Sequence, residues 1–473
     1  MVNKVKYLAG KIAGKAANSG SKVLPFNGNS LPGLLFIKTC GLDGIKQLQK
    51  EQVKTGSVML TGTNGKTTTT TMTIELLSKD NDLTASSNNN TVYAVTTALL
   101  RKKGDIGVFE YGIRDKKHGI PHIMNDVIDP IGVVYTNISR EHTQVASVKN
   151  SFEDYVKAKT LLSENMKNGV VITNADDPRT NFIGQSKEKD GHVIYYGLSI
   201  DYDDVFGESE VKCPKCGEIL TYTKRYMNHR GDYRCSCGFK RSKPDVTISS
   251  FKSENNKWVI RIDGDVYNYH KKSNVKFSVE VKVPIFGLYN LYNIMCASAT
   301  YACFTRKTEK IESTLTEYFN ALSLDILPPG RFELLSKNGG IVGIGQGDNG
   351  DALIANCSLM KLHVKDKFEF IYTTPDEFEE EIFEDHKSII KSMNPDNLIV
   401  LPGRVSVDKA REYYNELKTI YPNAEFYPVE YDIDKRIEKI NELVESSDYK
   451  NIIISGCGDE YKFWDILMNT VRD

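Results

Sequence analysis

Thr61-Gly62-Thr63-Asn64-Gly65-Lys66-Thr67-Thr68 is the stretch on which the fold turns. A short apolar run, Val58 to Leu60, precedes it, and a helical pattern from Thr69 to Lys79 follows. A glycine-bearing loop between strand and helix lets backbone N–H groups face phosphate oxygens, with the positive end of the helix behind them. Lys66 offers a point charge to the terminal phosphates, and the Thr67 hydroxyl is placed to ligate magnesium. The common form of the loop has a further glycine six residues before the lysine, and here that residue is Leu60. The generic pattern therefore fails while its phosphate-holding half is kept. A plain glycine turn before a helix is the alternative, and the strand–loop–helix context favours a nucleotide site.

Outward from the loop, three more short apolar runs precede residue 200: Ile106 to Phe109, Ile131 to Tyr135 and Val170 to Ile172. Continuous runs of this length suit strands buried on both faces of a parallel sheet. Helical patterns lie between them, as in Phe152 to Asn165, so the rhythm predicts a doubly wound α/β domain. Residues from about 205 to 245 break that rhythm and read as an insertion. Asp245 to His270 alternates around Asp263-Gly264, which reads as a hairpin turn, and a helical run follows from Leu288 to Thr305. Past Leu327-Pro328-Pro329-Gly330 the pattern restarts, with strands expected at Ile341 to Ile344, Phe368 to Tyr372, Leu398 to Leu401 and Ile452 to Ile454. The expected organisation is a short N-terminal segment (1–50), a central P-loop domain (51–326) and a Rossmann-like C-terminal domain (327–473).

The 473 residues suffice for a large core, and 61 basic against 62 acidic residues give a net charge of -1. That balance offers no strong field for nucleic acid. The one local bias is the basic start, with Lys4, Lys6, Lys11 and Lys15. It allows peripheral contact with a membrane, although a solvated helix face is the commoner explanation for such a pattern. No stretch has the roughly 18 apolar residues of a membrane-spanning helix, and a clear signal-peptide core is absent, so a cytoplasmic protein is expected.

Four of the nine cysteines cluster, in Cys213-Pro214-Lys215-Cys216-Gly217 and Cys235-Ser236-Cys237-Gly238. Two tight thiol turns suit a tetrahedral structural zinc better than disulfides. The second pair has one intervening residue rather than two, and His229 is a possible substitute ligand.

Several motifs in order resemble those of the Mur ligases, which join amino acids to cell-wall precursors. The loop at 61–68 matches that family's own variant. Asn88-Asn89-Asn90-Thr91, Phe109-Glu110-Tyr111-Gly112, Thr136-Asn137-Ile138-Ser139-Arg140-Glu141-His142, Tyr155-Val156-Lys157-Ala158-Lys159 and Asn174-Ala175-Asp176-Asp177-Pro178 follow. Gly287-Leu288-Tyr289-Asn290-Leu291-Tyr292-Asn293 and Pro329-Gly330-Arg331-Phe332-Glu333 complete the set. The resemblance covers the chain to about residue 335 and weakens beyond it. It implies ATP bound by Gly62, Thr63, Asn64, Gly65, Lys66, Thr67 and Thr68, with Asn290 and Asn293 at adenine and Arg331 at the phosphates. It implies two magnesium ions, one on Thr67 and Glu110, the other on His142 and a carbamylated Lys159. From the residues alone, Lys159 reads as a solvated helix lysine and His142 as a hydrogen-bonded histidine.

Similar four-Cys ribbons occur in the Mur-like subunit of the bacterial enzyme that amidates lipid-linked peptidoglycan, and in archaeal pseudomurein peptide ligases. The first, as that family is known, lacks the His and carbamylated-Lys segment, so His142 and Lys159 make this chain look more like a peptide ligase. The implied activity is ATP-dependent amide formation through an acyl phosphate, adding an amino acid to a pseudomurein-type precursor on a nucleotide or lipid carrier. The alternative is the amidating subunit, which works with a separate glutaminase. A non-catalytic nucleotide-binding scaffold is a third reading, and the ligand set from Thr67 to Lys159 argues against it. In the C-terminal part the family's Asp-Tyr-Ala-His is replaced by Gly343-Ile344-Gly345-Gln346-Gly347-Asp348-Asn349, where Asp348 is a stand-in for the ribose-binding Asp. Gly456-Cys457-Gly458-Asp459-Glu460 departs from Gly-Lys-Gly-His-Glu, and Arg404 could hold a substrate carboxylate.

Overall fold

A computed structural model describes the chain except residues 1–2, 22–29, 141–143, 146–147, 150, 202–209, 255–256, 285–286, 328–329, 338, 431, 459 and 473. For 20–21, 144–145, 148–149, 253 and 460–461 it describes the backbone only. Two sheets organise the molecule. The nine-stranded sheet runs from edge to edge Leu83–Ser86, Gly104–Glu110, Val53–Thr61, Gly132–Tyr135, Val170–Asn174, His192–Leu198, Val246–Glu254, Lys257–Asn268 and Ser273–Pro284. Its first seven strands pair in parallel, and the last two add antiparallel. All four apolar runs read before residue 200 are strands of the parallel part. Val58, Met59, Leu60, Ile106, Val108, Val133 and Val134 are fully shut from solvent, as double-sided cover by helices requires.

One face is covered by Lys66–Leu77 and Leu288–Phe304, the latter buried almost all round. The other is covered by Asp43–Gln52, Val92–Arg101 and Phe152–Thr160. The hairpin expected at Asp263-Gly264 is corrected. Both residues lie inside the twelve-residue strand Lys257–Asn268, and the antiparallel pair closes where Glu254 meets Lys257. Gly264 is there because the Phe277 ring lies over it, 2.2 Å from where a Cβ would stand. Asp263 accepts from Ser249 (2.7 Å) and Ser278 (2.6 Å) on the flanking strands.

The second sheet has six strands, ordered Glu333–Lys337, Gly340–Gln346, Asn451–Gly456, Phe368–Thr373, Asn397–Leu401 and Glu425–Phe426, parallel except for the first. Helices flank both faces, and its core is separate from that of the nine-stranded sheet in all but a few residues, such as Met227. The two sheets direct the carboxyl ends of their parallel strands at a shared cleft, where ligands of open α/β sheets gather.

Candidate active site

The cleft encloses about 280 Å³ and takes its walls from both sheets, enough for a small ligand group. Its floor is the loop after Val53–Thr61. Gly62 and Gly65 have φ of 155° and 77°. A Cβ on Gly62 would stand 1.9 Å from Thr136 Oγ1, and one on Gly65 would stand 2.3 Å from Asn293 Oδ1. Only glycine fits either position.

The loop is braced by the strand end beside it. Thr63 N–H donates to Asn137 O (2.8 Å), Asn64 N–H donates to Asn137 Oδ1 (3.0 Å), and Thr136 Oγ1 and Asn137 Nδ2 both donate to Asn64 O (2.7 Å each). Thr63 Oγ1 also meets Ser139 and the Tyr155 hydroxyl, the latter at 3.0 Å. The Thr136-to-Ser139 segment is therefore the scaffold of the loop.

Lys66 opens the helix Lys66–Leu77, and its ammonium folds back to donate to Thr63 O at 2.5 Å. Thr67 Oγ1 donates to Glu110 Oε1 at 3.0 Å, and Glu110 Oε2 accepts from Asn88 N–H at 3.0 Å. Glu110 is buried at the end of its strand. These oxygens form a compact oxygen-donor pair of the kind a hard divalent cation prefers. Thr68 is buried on the same helix and also lines the cleft.

Lys159 is 1% exposed, so it is no solvated helix lysine. Its Nζ donates to Gly62 O (2.9 Å) and Ile113 O (3.2 Å) and lies 4.4 Å from the centre of the Tyr155 ring. It braces the loop from behind. His142 falls outside the described residues. Asn290 and Asn293 are both buried: Asn293 Nδ2 donates to Asn290 Oδ1 (2.7 Å), and Thr69 Oγ1 donates to Asn293 Oδ1 (3.1 Å). Arg331 also lines the cleft, with Tyr289 as a neighbour.

The roof is the start of the helix Gly350–His363. Asn349 caps Gly350–His363 by accepting from Ala352 N–H at 3.0 Å. Asn64 Nδ2 reaches both Asn349 Oδ1 (3.3 Å) and Asp351 Oδ2 (3.2 Å), so the floor touches the roof. Asp351 is the hub. It accepts from Arg230 Nη1 (3.1 Å) and Nη2 (2.6 Å), Asn228 Nδ2 (3.1 Å) and Ser139 Oγ (3.2 Å). Burial pushes the Asp351 carboxyl up, but Arg230 and His229 outweigh it and hold it well below the ordinary carboxylate range. Asp351 and Arg230 lie 121 residues apart. The available signal was the capping pattern Asn349-Gly350-Asp351, which announces a helix start but not its partner.

Arg230 comes from the insertion. Its hairpin pairs Thr221–Met227 with Arg230–Arg234. At the far end Cys213, Cys216, Cys235 and Cys237 bring four sulfurs within 4.8 Å of one another. Cys213 and Cys237 sulfurs are 3.8 Å apart, Cys216 and Cys235 3.5 Å, close to the roughly 3.8 Å edge of a tetrahedron with 2.3 Å metal–sulfur bonds. The two turns match: Cys213 N–H donates to Glu218 O and Cys235 N–H to Phe239 O, both at 2.7 Å, and Gly217 and Gly238 share φ of 84°. The cluster can hold a metal ion.

His229 as a substitute ligand is corrected. Its ring is fully buried against Asp177, with Nε2 3.3 Å from Oδ1. The Asn174-to-Pro178 motif is what fastens the insertion. Asp176 accepts from Arg241 Nε (2.6 Å), Leu198 N–H (2.8 Å) and the Tyr292 hydroxyl (2.9 Å), while Tyr233 OH donates to Ala175 O (2.9 Å).

On the C-terminal side, Asp348 lines the cleft and Cys457 is buried behind it. Arg404 is partly buried, with Asp348, Cys457, Glu379 and Asp376 as charged or ionisable neighbours. Burial lowers its pKa, and the surrounding acids more than restore it. Its Nε and Nη2 are closed to solvent without a hydrogen-bond partner among the described residues.

Fold and site together define a P-loop α/β domain closed by a Rossmann-like domain. More specifically, residues 60–235 match the Mur ligase middle domain, so the chain carries that domain. Among curated proteins it is 30% identical over 293 residues to the MurT subunit of the glutamine-hydrolysing lipid II isoglutaminyl synthase of Staphylococcus aureus, and 25% identical over 307 residues to that of Streptococcus pneumoniae. These matches span 60% and 62% of both chains, less than two thirds of the relatives' length. Among solved structures, a pseudomurein peptide ligase type C from Methanothermus fervidus superposes with a TM-score of 0.66 at 24% identity, covering 90% of this chain and 81% of that one. MurF from Thermotoga maritima in complex with ADP gives 0.59 at 13%, covering 91% and 82%. The fold is that of the Mur ligases.

Proposed function

We propose that this protein is an ATP-dependent carboxylate–amine ligase acting on a cell-wall peptide precursor. The single observation that carries the reading is the convergence, in one cleft, of the Gly62–Thr68 loop, the Thr67–Glu110 oxygen pair and a roof from the second domain. In the proposed reaction a substrate carboxylate attacks the γ-phosphate of ATP, ADP leaves, and an amine then displaces phosphate from the acyl phosphate to form the amide. Lys66 swings from Thr63 O to the phosphates, where positive charge counts most in phosphoryl transfer. Thr67 and Glu110 would hold one magnesium, and His142 with a carbamylated Lys159 the second. Magnesium, when bound, neutralises charge on the phosphate oxygens. Asn290 and Asn293 face adenine, Arg331 reaches the phosphates as the roof closes, and closure excludes water. The four-Cys cluster fits a structural zinc, with no open position for catalysis.

The amine divides two readings. The structural likeness to a pseudomurein peptide ligase favours an amino acid. The 30% identity to MurT subunits favours ammonia delivered by a separate glutaminase. Phosphate release measured with ATP, magnesium and cell-wall peptide precursors, across amino acids and ammonium, separates them. Turnover with an amino acid supports the ligase, and turnover with ammonium alone supports the amidating subunit. No ATP-dependent turnover with any combination, despite bound nucleotide, leaves only the scaffold reading.

A further inference from the structure

Among the described residues, the N-terminal helix Lys4–Ser21 has protein neighbours on one side and an apolar stripe on the other. Tyr7, Gly10 and Gly14 are buried against the helices Leu31–Cys40 and Val92–Arg101. Tyr7 meets Phe36 edge-on at 5.9 Å. A Cβ on Gly14 would stand 2.7 Å from Leu100, so the small residues let the helix seat closely.

Val5, Leu8 and Ile12 are 77%, 59% and 62% exposed, three of the seven large hydrophobics that stand exposed among the described residues. At about 100° per residue they fall within an arc of about 60°, and Ala9 and Ala16 extend it. The arc lies diametrically opposite Tyr7, Gly10 and Gly14. Lys4, Lys11 and Lys15 flank it on one side and Lys6 on the other, and the helix contains no acidic residue. Lys11 is held by Glu51 at 2.8 Å, which leaves Lys4, Lys6 and Lys15 exposed at the borders of the stripe. A merely solvated helix face carries polar residues at these angles. Here the outward face is apolar at its centre and cationic at both margins, the pattern of a helix lying in a lipid interface.

We infer that this helix seats the protein on an anionic lipid surface, with Val5, Leu8 and Ile12 entering the headgroup boundary and Lys4, Lys6 and Lys15 against lipid phosphates. Charge complementarity selects that occupant: a chain of net charge -1 concentrates four lysines and no acid on one helix. The inference stands independently of the ligase chemistry.

The test is sedimentation of the full chain with phosphatidylcholine vesicles, with and without phosphatidylglycerol, at low and high salt. The wild type is expected in the pellet with the anionic vesicles and released by salt. Two variants, Leu8→Gln/Ile12→Gln and Lys4→Gln/Lys6→Gln/Lys15→Gln, should each lose roughly tenfold or more of the partitioning. Their thermal unfolding midpoints should match the wild type, since none of these side chains is buried. Equal sedimentation with neutral and anionic vesicles, or none with either, overturns the proposal. So does an apolar-face variant that alters oligomeric state by light scattering while vesicle binding is unchanged, because the stripe would then be a contact between copies.

Discussion

The floor and the roof of the cleft are both carboxyl edges of parallel sheets, yet they are built differently. On the floor, the loop and the Thr67–Glu110 oxygen pair are tied into their own domain by hydrogen bonds. Asn64, Thr63, Thr67, Glu110 and Lys159 all have partners within the same domain. The roof meets that unit chiefly at Asp351, which accepts from Asn64, Ser139 and Asn228 and forms a buried ion pair with Arg230 of the cysteine-rich insertion. Behind the roof, Arg404 sits among acids with two nitrogens unpartnered among the described residues. The difference teaches a division of labour. The floor is braced by bonds within its own domain, whereas the roof is positioned by contacts that cross from one domain to the other.

The sharpest way to break the comparison is at the floor. Lys66→Ala should reduce ATP-dependent phosphate release by roughly 10²–10³-fold or more, the scale of removing one preorganised charge-stabilising group. Its unfolding midpoint should stay near the wild type, because the side chain only folds back on Thr63. Full turnover in steady-state assays would take Lys66 out of the chemistry.

At the roof, Arg230→Met should destabilise the folded chain by about 3–5 kcal/mol, because it strands a buried carboxylate. Both side chains of the pair are nearly sealed, at 3% and 2% exposure. The double variant Arg230→Met/Asp351→Leu should recover much of that loss in chemical denaturation, since the cost lies in the orphaned charge. A single variant within 0.5 kcal/mol of wild type, the scatter of ordinary surface changes, would mean that roof and floor do not stay closed in solution.

The floor was legible in the sequence for a physical reason. Parallel strands covered on both faces must be continuous apolar runs, and Val58 to Leu60 and Ile131 to Tyr135 announce themselves that way. The loop is legible because Gly62 and Gly65 answer to steric limits that no other residue meets. The roof was not, because the pairing of Arg230 with Asp351 depends on how two domains meet, and no local pattern records it. Asp263-Gly264 misled for a related reason: a glycine that makes room for the Phe277 ring looks, in one dimension, like a glycine that turns the chain. His229 stands beside the cysteines in sequence, but the hairpin carries it away from them to Asp177.

Acid should pull the two domains apart in stability, and this sharpens the comparison most finely. In the C-terminal domain His386 is fully buried with Nδ1 3.0 Å from the Tyr372 hydroxyl, and burial lowers its pKa to about 4. The unfolded chain binds that proton near pH 6.5. Between pH 6.5 and 4 the unfolded state therefore holds more protons, and stability falls as pH falls, by up to about 1.4 kcal/mol per pH unit. In the central domain Asp245, whose carboxylate accepts from Tyr195 N–H at 2.8 Å, is raised by burial to about 6. There the folded state holds the proton longer, so this group adds stability as pH falls from 6 toward the usual carboxylate value. Calorimetry from pH 7 to pH 4.5 should show the C-terminal transition moving down relative to the central one, and His386→Phe should flatten the trend. If the variant keeps the wild-type pH slope, the buried imidazole is not what makes the roof the acid-sensitive half.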